Sequence, residues 1–156
     1  MLIQRSGLNT THFLNVDLDI LSKTDLQPLV ATLGENVFVL FAGRVKRTYH
    51  AHLELVKITK TADETVREFC SLLNSLPRSA RRLWISAKTR DFSIGVQAGN
   101  HPSCADFVLS AETVTAVSAL GARIVLSVYA PDERVRKRTP TPKPSHGGVA
   151  KASAGQ

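Results

Sequence analysis

From Phe13 to Ile20 the chain reads FLNVDLDI, with Leu14, Val16, Leu18 and Ile20 at one parity and Asn15, Asp17 and Asp19 at the other. Successive side chains of a strand point to opposite faces, so this alternation demands a sheet with one buried and one polar face. The same demand returns in YHAHLELVKI (Tyr49–Ile58), where His50, His52 and Glu54 share a parity, and in DFSIGVQAG (Asp91–Gly99). Such a sheet needs helices over its apolar side.

The sequence supplies them. Leu26, Leu29, Val30 and Leu33 recur at helical spacing behind the N-cap candidates Ser22, Thr24 and Asp25, with Pro28 in the first turn and Gly34 as a stop. A second helix is predicted from about Ala62 to Ser75, with Val66, Phe69, Cys70 and Leu73 as its apolar stripe. Pro77 opens a third, about Arg78 to Lys88, carrying Leu83, Trp84 and Ala87 inward. NVFVLFAG (Asn36–Gly43) is apolar at both parities and reads as a central strand, followed by a polar turn in GRVKRT. FVLSAETVTAVSALGARIVLSVY (Phe107–Tyr129) reads as strand, helix and strand, with Ser110 as N-cap and Gly121 as stop.

That last stretch repeats the layout of ILSKTDLQPLVATLGENVFVLF near the start: strand, Leu-Ser, amphipathic helix, Leu-Gly, strand. Two matching halves would explain this, and so would the general preference for Ser before a helix and Gly after it. The expected order is β-α-β-β-α-α-β-β-α-β. It defines an α/β (α+β) two-layer sandwich with a mixed sheet: a ferredoxin-like β-α-β-β-α-β core extended by a C-terminal β-α-β unit.

Charge divides the chain. There are 20 Lys and Arg against 13 Asp and Glu, yet Arg134, Arg136, Lys137, Arg138, Lys143 and Lys151 stand in a stretch without an acid. Residues 1–133 keep 14 basic and 13 acidic side chains, so the basic character belongs to the tail. The tail is rich in proline, glycine and charge, with two valines as its only large aliphatics, and it cannot offset its own ordering entropy. We expect an N-terminal extension (1–11), one α/β domain (12–132) and a disordered basic tail (133–156). No apolar run nears the roughly 20 residues of a membrane span, and MLIQRSGLNTTHF has no signal-peptide pattern. A cytoplasmic protein with no membrane partner is expected. Its two cysteines, Cys70 and Cys104, suggest no disulfide framework.

The stretch LSAETV…LGARIVLSVY, with Leu109, Ser110, Leu120, Gly121, Ala122 and Tyr129, resembles the close of a bacterial domain family of unknown function. The resemblance spans about residues 12–130. It implies a small α/β domain with an immunity or partner-binding role, and it brings no catalytic residues.

Three functional readings remain open. Asp17, Asp19, His50, His52 and Glu54 form a polar strand surface that could hold a partner protein, with no cofactor and no catalysis. Within that set Asp17, His50 and His52 could bind a divalent metal, since His-X-His on a strand projects two imidazoles the same way; a metal-dependent enzyme would use the same residues. The polar face of any one-sided sheet also carries such groups, however, and Asp–His pairs form there as charge partners. Nucleic acid is the third possible partner, through Arg78, Arg81 and Arg82 with Trp84 as a stacking surface, and through Arg136, Lys137 and Arg138 of the tail. The competing reading buries Trp84. No nucleophile elbow, P-loop or dinucleotide fingerprint occurs, and Cys104 in HPSCAD has only His101 and Asp106 nearby in sequence.

Overall fold

The computed structural model describes residues 10–131; the first nine residues and the tail from 132 onward lie outside the described residues. Strand β1 (His12–Ser22) occupies the centre of a five-stranded sheet. It pairs antiparallel with β3 (Thr48–Leu55) on one side and with β4 (Thr89–Gln97) on the other. Strand β2 (Val37–Val45) lies antiparallel to β3 at one edge, and β5 (Arg123–Tyr129) lies parallel to β4 at the other. The order is β2-β3-β1-β4-β5, a mixed sheet.

Alternation sends one parity of the three inner strands into the core: Val16, Leu18 and Ile20, then Ala51 and Leu53, then Phe92, Ile94 and Val96. Among the described residues four α-helices supply the opposing layer: α1 (Gln27–Leu33), α2 (Ala62–Asn74), α3 (Arg78–Ser86) and α4 (Ala111–Ala119). The expected stripe of α2, Val66, Phe69, Cys70 and Leu73, is buried, and Phe69 meets Phe92 with ring centroids 5.9 Å apart. Burial raises the Cys70 thiol to about 11, so it behaves as a small apolar side chain. The result is an α+β two-layer sandwich.

Caps define the helix ends. The Thr61 side chain accepts from the Glu64 N–H at the start of α2, and Ser110 accepts from the Thr113 N–H at the start of α4. Gly121, at φ +62°, takes the left-handed conformation that ends α4. Helix α1 starts at Leu26 without a side-chain cap. Trp84 ties the helical layer together. It is buried, its Nε1–H donates to the Leu120 carbonyl at 3.0 Å, and Arg90 lies 5.8 Å from its ring centroid. Arg90 also donates to the Trp84 and Ile85 carbonyls at 3.0 Å, satisfying the open end of α3.

Four expectations need correction. The run Asn36–Gly43 is not a central strand: β2 is an edge, and Phe38, Val39, Leu40 and Phe41 are exposed. A strand apolar on both faces looks the same in sequence whether both faces are covered or not. Phe107–Leu109 is not a strand but an unpaired segment; the parallel partner of β5 is β4, so the element order is β-α-β-β-α-α-β-α-β. The apparent repeat therefore holds only over its helix and second strand. Leu14 faces outward because the register of β1 against β4 shifts between Phe13 and Asn15.

Replacing Trp84 with Phe removes the bond to Leu120 and leaves a small cavity, at a cost of about 2 kcal/mol. Urea unfolding of the two proteins measures it; a difference under about 0.5 kcal/mol would show that the bond to α4 adds nothing.

Candidate functional site

Among the described residues no element covers the second face of the sheet, and the strand registers arrange its side chains in transverse rows. One row runs through all five strands: Phe41, His52, Asp19, Asp91, Arg123. Asp19 and Asp91 stand directly opposite, a like-charge pair that needs compensation from both sides. It has that compensation. His52 Nδ1 lies 2.6 Å from Asp19 Oδ1, and Ser93 Oγ donates to Asp19 Oδ2 at 2.6 Å. Arg123 makes two parallel bonds of 2.7 Å to the oxygens of Asp91.

The neighbouring row is Phe38, Glu54, Asp17, Ser93, Val125, with Glu54 and Asp17 brought opposite each other by the register that pairs Leu18 with Leu53. Here Asn15 bridges the two carboxylates: its Nδ2 donates to Asp17 Oδ1 at 2.9 Å and to Glu54 Oε1 at 2.7 Å. Among the described residues no Lys or Arg forms an ion pair with either acid. Burial, the hydrogen bond to Glu54 and the negative charges of Glu54 and Asp19 raise the Asp17 carboxyl to about 6, against a smaller opposing pull from His52. Gly95 keeps room for this bridge: a Cβ there would sit 2.9 Å from Asn15 Oδ1.

All five predicted surface residues, Asp17, Asp19, His50, His52 and Glu54, thus share one face. They do not converge on one point. His50 turns to Thr48, with Nε2 and Oγ1 3.0 Å apart, and its ring centroid lies 6.2 Å from that of His52. His52 takes Asp19, not Asp17, as its partner. Among the described residues no three His, Cys, Asp or Glu side chains are placed to hold a metal ion. Sequence reasoning missed Asp91, Ser93 and Arg123. The alternation in β4 marks the first two as outward-facing, but their place beside Asp19 depends on β4 pairing with β1.

The basic helix presents less than its sequence suggests. Arg78 and Arg82 are exposed, whereas Arg81 donates to the Asn74 carbonyl at the end of α2, and Trp84 is too buried to stack on a base. Arg136, Lys137 and Arg138 lie outside the described residues. A concavity of about 520 Å³ lies off the sheet face, lined by Phe13, Lys60, Asp63, Phe107 and Val108 among others. Its Asp63 carboxylate is already engaged by the Ser110 N–H and by Arg67. Among the described residues no helix is long and apolar enough to cross a membrane. No protein-family model, curated protein or solved structure matches the chain.

The Asp17 carboxyl makes a signed prediction. Ionising it costs more in the folded protein than in the unfolded chain, so its contribution is neutral below about pH 4. Stability is then lost as pH rises from the ordinary carboxylate range to about 6, where the cost becomes complete. Asp17→Asn should stabilise the protein by about 1 kcal/mol at pH 7.5, a figure discounted for partial exposure, and should change little at pH 4. Urea titrations at the two pH values test this; equal effects at both would remove the electrostatic cause.

Proposed function

We propose that the protein is a non-enzymatic binding module whose open sheet face receives a basic side chain of a partner protein. The observation that carries this is the Glu54–Asp17 pair, two facing carboxylates bridged by Asn15 and without a Lys or Arg counter-ion among the described residues. A Lys or Arg from outside would relieve their mutual repulsion. Phe38 and Val125, both exposed, end the same row and offer apolar contact to the stem of such a side chain or to its neighbours. Exposed apolar side chains beside a charged centre suit a specific interface better than a solvated wall.

We read the order β2-β3-β1-β4, with every neighbour antiparallel, as a ferredoxin-like core to which α4 and β5 are added. An immunity-like role in the cytoplasm is the most concrete version of the proposal, and it rests on the resemblance of the Leu109–Tyr129 region. Metal binding at Asp17, His50 and His52 has less in its favour, because His52 and His50 turn to Asp19 and Thr48. A nucleic-acid role would fall to the tail.

The test is capture from native lysate followed by titration of the purified partner. The wild-type chain and a chain ending at Pro131 should bind one protein with similar affinity, and Asp17→Asn with Glu54→Gln should weaken it at least tenfold. A partner indifferent to the double substitution would refute the site. Recovery of nucleic acid by the full chain alone, lost with salt, would move the function to the tail.

A further inference from the structure

Strand β5 is an edge with apolar side chains on both faces. Ile124, Leu126 and Val128 lie on the helix side, opposite Phe92, Ile94 and Val96, which are all buried. Yet Leu126 is 60% exposed and Val128 62%. The helical layer thus leaves this side of β5 uncovered at Leu126 and Val128. The outer backbone of β5 has no strand neighbour among the described residues. Natural edges are usually blunted by lysine, proline or a bulge. This one pairs with β4 without a register shift, and from Phe107 to Pro131 only Glu112 and Arg123 are charged.

We infer that β5 pairs antiparallel with β5 of a second copy, about a two-fold axis through Leu126, to join two sheets into one of ten strands. The strand is complementary to itself in that register. On the helix side Leu126 meets its own copy and Ile124 meets Val128; on the open side Val125 meets Ser127 and Arg123 meets Tyr129. No like charges face each other. Arg123, held flat by Asp91, comes against an aromatic ring, a favourable cation–π pairing. A two-fold perpendicular to the sheet keeps the helices of both copies on one side. Strands lie about 4.8 Å apart and packed helices 8–10 Å apart, so the two α4 helices fit together only if each sits inboard of β5. The exposure of Leu126 places them there. Of the exposed α4 residues, Ala111, Val114, Thr115, Ser118 and Ala119 are small to medium and uncharged, as close helix packing requires, and the one charge, Glu112, lies in the first turn.

Other occupants fit less well. The tail carries Pro140, Pro142 and Pro144, which cannot donate to a ladder. The other edge, β2, has a register shift between Val39 and Phe41, carries Arg44, and runs into Lys46 and Arg47 of the following turn.

Sedimentation equilibrium of the full chain from about 1 to about 100 µM should show a monomer–dimer equilibrium with a micromolar Kd. Leu126→Lys and Leu126→Glu should each weaken dimerisation at least tenfold, because each sets a charge against its own copy. An equimolar mixture of the two should restore a dimer, which only a register pairing 126 with 126 provides. A wild-type monomer throughout, a dimer surviving both substitutions, or a mixture that stays monomeric would each overturn the proposal. A dimer dissolved by Phe41→Lys but not at Leu126 would place the interface on β2. Loss of cooperative melting in either variant would contradict Leu126 as a surface residue.

Discussion

Among the described residues all four α-helices lie on one side of the sheet, and the rest of the structure follows from that asymmetry. A covered face stabilises through apolar burial and needs no particular partner for each side chain. The uncovered face has to be stable in water while its side chains stand about 5 Å from their cross-strand neighbours. The chain meets this constraint by zoning. The inner strands β3, β1 and β4 carry His, Asp, Asn, Glu and Ser, whereas the edge strands carry Phe38 and Phe41 on one side and Val125 and Tyr129 on the other, with Arg123 of β5 reaching in to Asp91. The polar groups of the middle are satisfied by one another and by Arg123 from the β5 edge, and the apolar groups at the margins touch water.

The zoning leaves the two polar rows unequal. In the Asp19 row every carboxylate has a cation or hydroxyl within hydrogen-bond reach, so the row is closed electrostatically. In the Asp17 row one amide serves two acids. Solubility alone does not require such a pair: Asp17→Asn or Glu54→Gln would keep the hydrogen-bonding shape without the repulsion. The two acids together are destabilising in the isolated domain, and under the proposed binding role a cation from the partner would relieve that cost. This is the usual relation between local strain and binding.

The layer structure was legible because it depends on periodicity alone. The parity of Val16, Leu18 and Ile20, the stripe Val66–Phe69–Cys70–Leu73, and the stops at Gly34 and Gly121 are local signals, and local geometry bears them out. The set Asp17, Asp19, His50, His52 and Glu54 was legible for the same reason. What sequence did not disclose is non-local. Asp91, Ser93 and Arg123 join the face only through strand adjacency, and adjacency leaves no periodic mark. The register shifts at Phe13/Asn15 and Val39/Phe41 reverse parity mid-strand, which turned Leu14 outward and put Phe38 and Phe41 on the same face. The edge position of β2 was hidden by its composition, since VFVLF suits burial on both sides.

The two edges also differ in what they can do for the face between them. Pairing through β5 would leave both polar faces on the same side of a ten-stranded sheet and both Asp17 rows open. From one β1 to the other there would be five strand spacings, about 24 Å. A partner with basic side chains at that separation, or one that is itself two-fold symmetric, would engage both copies and gain from effective concentration. Pairing through β2 would instead bring the Phe38 ends of the two Asp17 rows to the junction, where they would pack against each other and lose their place beside an incoming side chain. The proposed binding role of the face and the proposed dimeric role of β5 rest on different residues, Asp17 with Glu54 and Leu126. They are nevertheless compatible in one assembly, and β5 is the edge that keeps the Phe38 side of the face free.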